Sequence, residues 1–432
     1  MVPVKRYKDL TPAELDKLFN RFGEDFSSIM INTVVPIVND VKENRDEAVK
    51  KYTHKFDGVK LNSVTATEKE IAQGHKNTPK HVLAAFMEAR QNIEEFHRRQ
   101  LRENSIYSRP DGTILGTTYQ AIESAGIYVP GGKASYPSSV LMGVIPAQIA
   151  GTKDITVITP PNKEGKIPDV ILAICKELGV TSIIKSGGAQ GIALAAYGSD
   201  SVKKSEIIVG PGNIFVTAAK TYLFSMGIIQ IDSMAGPSEV LIISDDKSDP
   251  KWVAWDFLSQ AEHEERALAV LVTTSKKLAT EVNKHIKEDI DSGRGRHEIK
   301  KTSIKNGIII LADSIEEAID FSNKYGPEHM EFMVDNPLEY LDSIKNVGSL
   351  FLGRYAPVAV GDYYSGTNHI LPTGGAARFS CGTSVETFMR RTTFQLLNKE
   401  SLKKAQGPVN LMSEYEGFDD KHGGSVNVRF EK

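Results

Sequence analysis

Two neighbouring residues, Glu328 and His329, place a carboxylic acid beside an imidazole in the stretch GPEHMEFMV, residues 326–334. Imidazole titrates near neutral pH, and a carboxylate next to it can take up or release a second proton. Such a pair suits a reaction that moves protons at one reacting carbon. An isolated Glu-His pair is more often a solvated turn, so the rest of the chain must decide between the two interpretations.

A second group of residues has the donor atoms of a metal site. Gln260 and His263 in LSQAEHEER lie three apart on a predicted helix and therefore share a face. Asp362 and His369 occur in VGDYYSGTNHILPTGG, and His422 occurs in DDKHGG. These nitrogen and oxygen ligands would suffice for zinc or a related divalent ion. Spacing alone does not establish a shared site, because the members lie far apart in the chain.

Three glycine-rich turns follow predicted strands: YVPGGKASYPSS, SGGAQG and VGPGN. Glycine lets the backbone approach a ligand, and a helix N-terminus offers N–H groups to anions. None of the turns is a G-x-G-x-x-G fingerprint or a P-loop. Two interpretations stay open, plain β–α turns or a nucleotide or phosphate site.

The elements that would position these residues form two series of short β-branched strands separated by helices. The first series includes AGIYVPG, DITVITPP, TSIIKSGG and SEIIVGPG, and the second includes EVLIISDD, LAVLVTTS, GIIILADS, MEFMVDN and GSLFLG. This alternation predicts parallel sheets built from βαβ units. We expect an α/β protein with two doubly wound Rossmann-like domains, and a ligand cleft between them or at strand carboxyl ends.

The composition is that of a globular protein, with 40% hydrophobic and 25% charged residues in 432. A net charge of -3 gives no reason to expect a nucleic-acid or membrane-surface partner. The N-terminal stretch lacks the apolar core of a signal peptide, and the apolar stretches are too short to span a membrane. Two cysteines, Cys175 and Cys381, cannot form a disulfide framework, so we expect a cytoplasmic setting.

The order of eight motifs resembles the histidinol dehydrogenase family. They are YVPGGKASYPSSVLMGVIPAQIAG, GGAQGIALAAYG, VGPGN, AGPSEV, LSQAEH, GPEHMEF, GDYYSGTNHILPT and EGFDDKHGGSVNVR. The resemblance implies a zinc-dependent homodimer that oxidises L-histidinol through the aldehyde to L-histidine with two NAD+. It also implies active sites shared between the subunits.

The resemblance carries residue roles with it. It implies that zinc is held by Gln260, His263 and Asp362 of one subunit and by His422 of the other. His329 would be the general base and Glu328 would activate water. The NAD contacts would be Tyr128, Gln190 and Asn213. Besides the zinc ligands and His329, the substrate contacts would be Ser238, His369 and Glu416.

We expect four segments along the chain. Residues 1–27 form an N-terminal helical segment, and residues 28–120 with 238–376 form the zinc and substrate domain. Residues 121–237 form the NAD-binding domain, and residues 377–432 form a C-terminal helical arm for dimerisation. Such an arm can reach across a two-fold axis and complete its partner's site.

The chain departs from the family pattern in two places. The stretch PVAVGDY has Val358 where many members have glutamate, which removes one substrate contact. The terminal motif has one residue more than usual between Glu416 and His422, which leaves the Glu416 contact open.

Two other functions compete with the histidinol dehydrogenase prediction. One is an NAD-dependent paralogue that oxidises a sulfonated propanediol, which Val358 and RRTTFQ allow but SYPSSVLM and GTNHILPT disfavour. The other is a zinc hydrolase in which Glu328 activates metal-bound water, which leaves the three glycine turns unexplained.

Overall fold

A computed structural model describes residues 1–21, 26–131, 135–234 and 236–431. The chain divides into two units, the first made of residues 1–100 and 122–388 and the second of residues 101–121 and 389–432. The first unit contains two parallel sheets, and the second contains a small antiparallel sheet and helices. Parts of the predicted motifs, residues 132–134 of the first glycine turn and Ala235 of AGPSEV, lie outside the described residues.

The larger sheet of the first unit has six parallel strands in the order β1-β11-β10-β9-β12-β13. Their bounds are β1 Val4–Arg6, β9 Glu239–Ser244, β10 Leu268–Thr273, β11 Ile308–Leu311, β12 His329–Met333 and β13 Ser349–Leu352. The smaller sheet has five parallel strands in the order β6-β5-β4-β7-β8. Their bounds are β4 Ser124–Tyr128, β5 Asp154–Ile158, β6 Ser182–Ile184, β7 Ile207–Val209 and β8 Gln230–Ile231.

Both sheets share one topology. The first strand of each α/β series is central, β9 between β10 and β12 and β4 between β5 and β7. The direction of winding therefore reverses between β9 and β12 and between β4 and β7, which is where doubly wound sheets bind ligands.

Helices surround the two sheets and link their strands. Those of the first unit are α1 Pro12–Phe19, α2 Phe26–Ile29, α3 Val35–Asp57, α4 Glu68–Asn77, α5 Lys80–Arg98, α6 Ser138–Ala150, α7 Asp169–Glu177, α8 Gly188–Tyr197, α9 Ile214–Ser225, α10 Pro250–Ala261, α11 Lys276–Ser292, α12 His297–Ser303, α13 Ile315–Tyr325 and α14 Val358–Tyr363. Side-chain caps begin several of them, for example Asn213 before α9 and Asp249 before α10. No helix among the described residues is both long and apolar enough to cross a membrane.

Each sheet is covered on both faces, because successive strand residues enter different apolar clusters. Ile127 packs with residues of α6 and α7, whereas Tyr128 packs with residues of α8 and α9. In the larger sheet, Val240 packs with α10 and α11, whereas Leu241 packs with α1 and α13. This two-sided burial explains the continuous apolar runs in the sequence and confirms the predicted α/β fold class.

The N-terminal helices pack on the helices of the smaller sheet. Helix α3 contacts α8, α4 contacts α7, and α5 contacts α6. The predicted division instead grouped residues 28–120 with 238–376, and the domain boundaries stay a prediction.

The second unit contains the antiparallel strands β2 Ser105–Ser108, β3 Ile114–Ala121 and β14 Met389–Leu396, with helices α15 Lys399–Tyr415 and α16 Gly424–Asn427. Strand β14 pairs with β3 along its whole length. Residues 389–396 and residues 4–6 are thus strands inside segments predicted as helical. Strand β14 pairs with β3, and β1 pairs with β11. This pairing with a distant segment, not the local sequence pattern, sets the conformation of both strands.

Candidate active site

A cleft of about 350 Å³ in the first unit is bordered by residues from both parallel sheets. Eight of the predicted site residues line it: Tyr128, Asn213, Ser238, His263, Glu328, His329, Asp362 and His369. Tyr128 is the last residue of β4, so the smaller sheet contributes its carboxyl edge. His329 is the first residue of β12, so the larger sheet contributes its amino edge.

Glu328 and His329 are both buried and both bind the backbone of Glu239, at the start of the neighbouring strand β9. The N–H of Glu239 donates to Glu328 Oε2 at 2.8 Å, and its carbonyl oxygen lies 3.1 Å from His329 Nδ1. A carbonyl oxygen can only accept, so Nδ1 carries the proton of that bond. The other ring nitrogen, Nε2, is then the basic one in the neutral imidazole.

The Nε2 atom of His329 has no hydrogen-bond partner within the described part of the chain, and Asp362 Oδ1 lies 3.6 Å away. Burial raises the pKa of Glu328 to about 8, against the attraction of His329. Burial opposes charge on His329, but Glu328 and Asp362 outweigh it and raise its pKa to about 9. The two shifts depend on each other, because only an ionised Glu328 raises the pKa of His329 in this way. When Glu328 is protonated, burial acts toward the neutral imidazole, whose Nε2 can accept a proton.

Asp362 and His369 belong to one segment, which begins in α14 and continues as a loop. The ring of His369 contacts the Asp362 carbonyl oxygen through Nδ1 at 2.9 Å and the Ser139 hydroxyl through Nε2 at 3.1 Å. Sequence reasoning missed Ser139, although it belongs to the SYPSS part of a recognised motif. Its hydroxyl and His369 place two polar groups side by side in the cleft.

Gln260 and His263 lie at the C-terminal end of α10, where the N–H of His263 donates to the Gln260 carbonyl at 3.2 Å. His263 lines the cleft, whereas Gln260 is buried and is not among the lining residues. The side-chain amide nitrogen of Gln260 has no hydrogen-bond partner among the described residues. The nitrogen and oxygen of a side-chain amide exchange places when the amide is turned by 180°. The Gln260 amide can therefore present its oxygen at the same position.

The donor set has the protonation states that a divalent metal needs. Burial lowers the pKa of both His263 and His369, which favours the neutral imidazoles, but both ring nitrogens of His369 already have hydrogen-bond partners. Burial disfavours charge on Asp362, but His329 holds the pKa of that carboxyl below its usual value. Among the described residues, however, no group of three or more His, Cys, Asp or Glu side chains is arranged to hold a metal ion.

At another side of the cleft, turns converge on Tyr128. The N–H of Gly188 lies 3.5 Å from the Tyr128 hydroxyl oxygen, and Gln190 follows two residues later in the first turn of α8. Gly210 has a φ of 123°, and a Cβ there would overlap the Tyr128 carbonyl oxygen. Asn213 begins α9, and its side chain accepts hydrogen bonds from Phe215 and Val216. The three glycine turns predicted from the sequence thus meet at one edge of the smaller sheet.

A buried ion pair holds the third of these turns. Lys220 Nζ binds Asp232 and donates to the Gly210 carbonyl oxygen at 3.0 Å. Asp232 in turn accepts from the Gly210 N–H at 2.8 Å. Both backbone groups of Gly210 are therefore fixed, which explains why the chain tolerates so unusual a φ at this position.

The remaining predicted residues lie elsewhere. Glu416 ends α15 and His422 follows it, and both are exposed in the second unit. Val358, where the resemblance predicted a glutamate, is buried in the core beside α10. Its N–H donates to Glu331 Oε1 at 2.7 Å.

The chain is similar to known proteins over nearly its whole length. A sequence profile described as histidinol dehydrogenase matches residues 21–430. The histidinol dehydrogenase of Leptospira interrogans is 47% identical over 419 residues, which cover 96% of each chain. That of Methanocaldococcus jannaschii is 46% identical over 416 residues, again 96% of each chain.

A solved structure gives the same result. The crystal structure of histidinol dehydrogenase from Elizabethkingia anophelis matches with a TM-score of 0.91 and 35% identity, covering 99% of this chain and 98% of that one. These relatives favour the histidinol dehydrogenase prediction over the sulfonated-propanediol and zinc hydrolase alternatives. The chain belongs to the histidinol dehydrogenase family of NAD-dependent oxidoreductases.

Proposed function

We propose that the chain oxidises L-histidinol through L-histidinal to L-histidine, with two NAD+ consumed, in the cleft between its two parallel sheets. The observation that carries this proposal is the buried cluster of Glu328, His329 and Asp362 across the cleft from the Tyr128 turns. An acid–base pair on one wall and glycine turns on the other suit proton removal and hydride transfer from one substrate carbon.

In the first oxidation, His329 accepts the hydroxyl proton of the alcohol at Nε2, the nitrogen left free by the bond to the Glu239 carbonyl. Asp362 lies 3.6 Å from that atom and stabilises the imidazolium that forms. NAD+, when bound, supplies the acceptor for the hydride that leaves the same carbon.

In the second oxidation, Glu328 takes a proton from the water that adds to the aldehyde. Its burial and raised pKa make it a stronger base than an exposed carboxylate once ionised. The hydrated aldehyde has a hydroxyl in the position of the original alcohol, so His329 can accept its proton as before. A second hydride then leaves the carbon, and the carboxylic acid results.

Gln260, His263 and Asp362 of one subunit, with His422 of the other subunit, are the proposed zinc ligands. Neutral His263, ionised Asp362 and the unpaired Gln260 amide support this set. Zinc, when bound, would orient the substrate's imidazole and amine as a Lewis acid.

The proposed NAD contacts are Tyr128, Gln190 and Asn213, and the further substrate contacts are Ser238, His369 and Glu416. Tyr128 and Asn213 line the cleft, whereas Gln190, which does not line it, lies beside Gly188. Ser238, which precedes β9 of the larger sheet, and His369, which contacts Ser139 of α6, also line the cleft.

We also propose a homodimer in which the second unit completes the site of its partner. Exposed apolar side chains of this unit support a surface that is covered in the assembly. They are Ile106, Tyr107, Leu396, Leu411, Met412, Tyr415, Phe418 and Val428. A cytoplasmic location is consistent with the two free cysteines, Cys175 and Cys381.

The test is NADH formation by wild type and His329→Asn with histidinol, a dihydroxysulfonate, or neither. We expect wild type to use histidinol alone and His329→Asn to lose about 10²- to 10⁴-fold in kcat with its zinc content unchanged. His81→Asn, at an exposed position of α5, is the matched control and should behave as wild type. Loss of zinc together with activity in His329→Asn would make this residue a ligand and overturn the assignment.

A further inference from the structure

Arg21 and Glu239 form an ion pair whose side chains are 5% and 0% exposed. The guanidinium binds both carboxylate oxygens, with Nε 2.7 Å from Oε2 and Nη2 2.8 Å from Oε1. The Gly374 N–H also donates to Oε1, at 3.1 Å. The carboxylate is thus held from two directions, and the side chain of Glu239 has little freedom.

The same guanidinium binds the segment that leads into β12. Nη1 and Nη2 each lie 3.0 Å from the Tyr325 carbonyl oxygen, and the group stacks 3.6 Å from the centre of the Tyr325 ring. Nη1 also donates to the Leu18 carbonyl at 2.6 Å. Arg21 therefore joins its own segment to two others that are distant in sequence, and one of these ends at Tyr325, three residues before Glu328.

The backbone of Glu239 is the partner of both proposed proton-transfer groups. Its N–H donates to Glu328 and its carbonyl accepts from His329, as described above. A shift or rotation of this one residue would misalign both groups together. The ion pair with Arg21 holds the residue that sets their orientation.

We infer that Arg21 and Glu239 are positioning residues, which fix the Glu239 backbone and the β12 entry so that Glu328 and His329 point at the substrate carbon. The inference rests on the proposed roles of Glu328 and His329. A buried ion pair adds little to stability compared with apolar residues of equal volume, so its use here is geometric. Lysine could not replace Arg21, because a single ammonium cannot bind two carboxylate oxygens and a carbonyl in one plane.

The experiment compares Arg21→Met, Glu239→Gln and the double variant. Arg21→Met leaves a buried carboxylate unpaired and should lower the thermal midpoint strongly. The double variant removes that charge and should recover much of the midpoint, while kcat stays about 10- to 100-fold below wild type. The KM for NAD+ should stay within about twofold, because no NAD contact changes.

The rates of the two half-reactions, measured separately in each variant, give a further readout. Because both proton-transfer groups lose alignment, oxidation of histidinol and of histidinal should slow in parallel. The control is the ion pair of buried Lys300 and half-buried Asp289, which lies between α11 and α12 and does not line the cleft. Lys300→Met with Asp289→Asn should change the thermal midpoint without changing kcat.

A double variant with the kcat of wild type would overturn the inference whatever its stability, since the pair would then not position the proton-transfer groups. If neither Arg21 variant folds, Glu239→Gln decides alone, and a wild-type kcat in that variant would also overturn it. His329→Asn separates this result from the proposed function. If His329→Asn keeps the kcat of wild type, the proposed function fails. If kcat falls in His329→Asn but not in the variants of Arg21 and Glu239, only the positioning role is refuted.

Discussion

Gly210→Ala tests how the turn after β7 shapes the cofactor side of the cleft. Gly210 has a φ of 123°, and an added Cβ would overlap the Tyr128 carbonyl oxygen and lie 3.0 Å from its carbonyl carbon. The turn or the end of β4 must then move by roughly 1 Å, a displacement that can cost about a hundredfold in rate. A hundredfold loss corresponds to about 2.7 kcal/mol.

The backbone conformation adds a separate cost. Alanine in a left-handed conformation costs about 1–2 kcal/mol of stability wherever it occurs. Gly227, with a φ of 67° and no atom within 4 Å of a Cβ, has this cost without the overlap. Gly227→Ala is therefore the matched control for Gly210→Ala.

The assay is the affinity for NADH, measured by its fluorescence on binding, together with kcat/KM for NAD+. We expect Gly210→Ala to lose about a hundredfold in both, while Gly227→Ala stays within about twofold of wild type. Both variants should show a lower thermal midpoint, with the larger decrease at Gly210. A folded Gly210→Ala that binds NADH as tightly as wild type would refute the placement of the cofactor beside Tyr128.

Three further variants test the site. Glu328→Gln keeps an acceptor for the Glu239 N–H but cannot deprotonate water. Oxidation of histidinal should therefore fall more than oxidation of histidinol. Equal losses in the two oxidations would contradict the proposed role of Glu328. Cys175→Ala with Cys381→Ser should keep full turnover, because burial raises the pKa of Cys175 to about 12 and Cys381 does not line the cleft. An inactive folded variant would indicate a thiol mechanism. Mixing inactive His263→Ala and His422→Ala subunits should restore part of the activity, since one site of each heterodimer receives both lesions; no recovery after verified subunit exchange would exclude a shared site.

The strands of the two parallel sheets were predictable because burial on both faces leaves continuous apolar runs. Runs such as EVLIISDD and SEIIVGPG coincide with β9 and β7. Strand β14 was not predictable in the same way, because its MRRTTFQL has a polar, helix-compatible composition and is strand only through its pairing with β3. Local pattern cannot show a partner that lies elsewhere in the chain.

The same limit applies to the site. Glu328 and His329 were visible in the sequence because they are neighbours in a motif. Their place at the amino edge of the larger sheet did not follow from the rule that doubly wound sheets bind ligands at strand carboxyl ends. The pair of Arg21 and Glu239 joins residues 218 positions apart and leaves no periodic or local signal. Ser139 and His369 are 230 positions apart, and only the folded chain brings them together.

The place of the proton-transfer groups in the larger sheet has a consequence for how activity is lost on heating. His329 pairs with Val240 of β9 on one side and with Ser349 of β13 on the other, so it can leave its place only if these ladders open. The turns after β6 and β7 lie beyond the ladders of the smaller sheet, so they open without separating its strands and at a lower free-energy cost. Warming should therefore release NAD before it disturbs the acid–base pair, and cooling should restore activity until the central strands themselves separate.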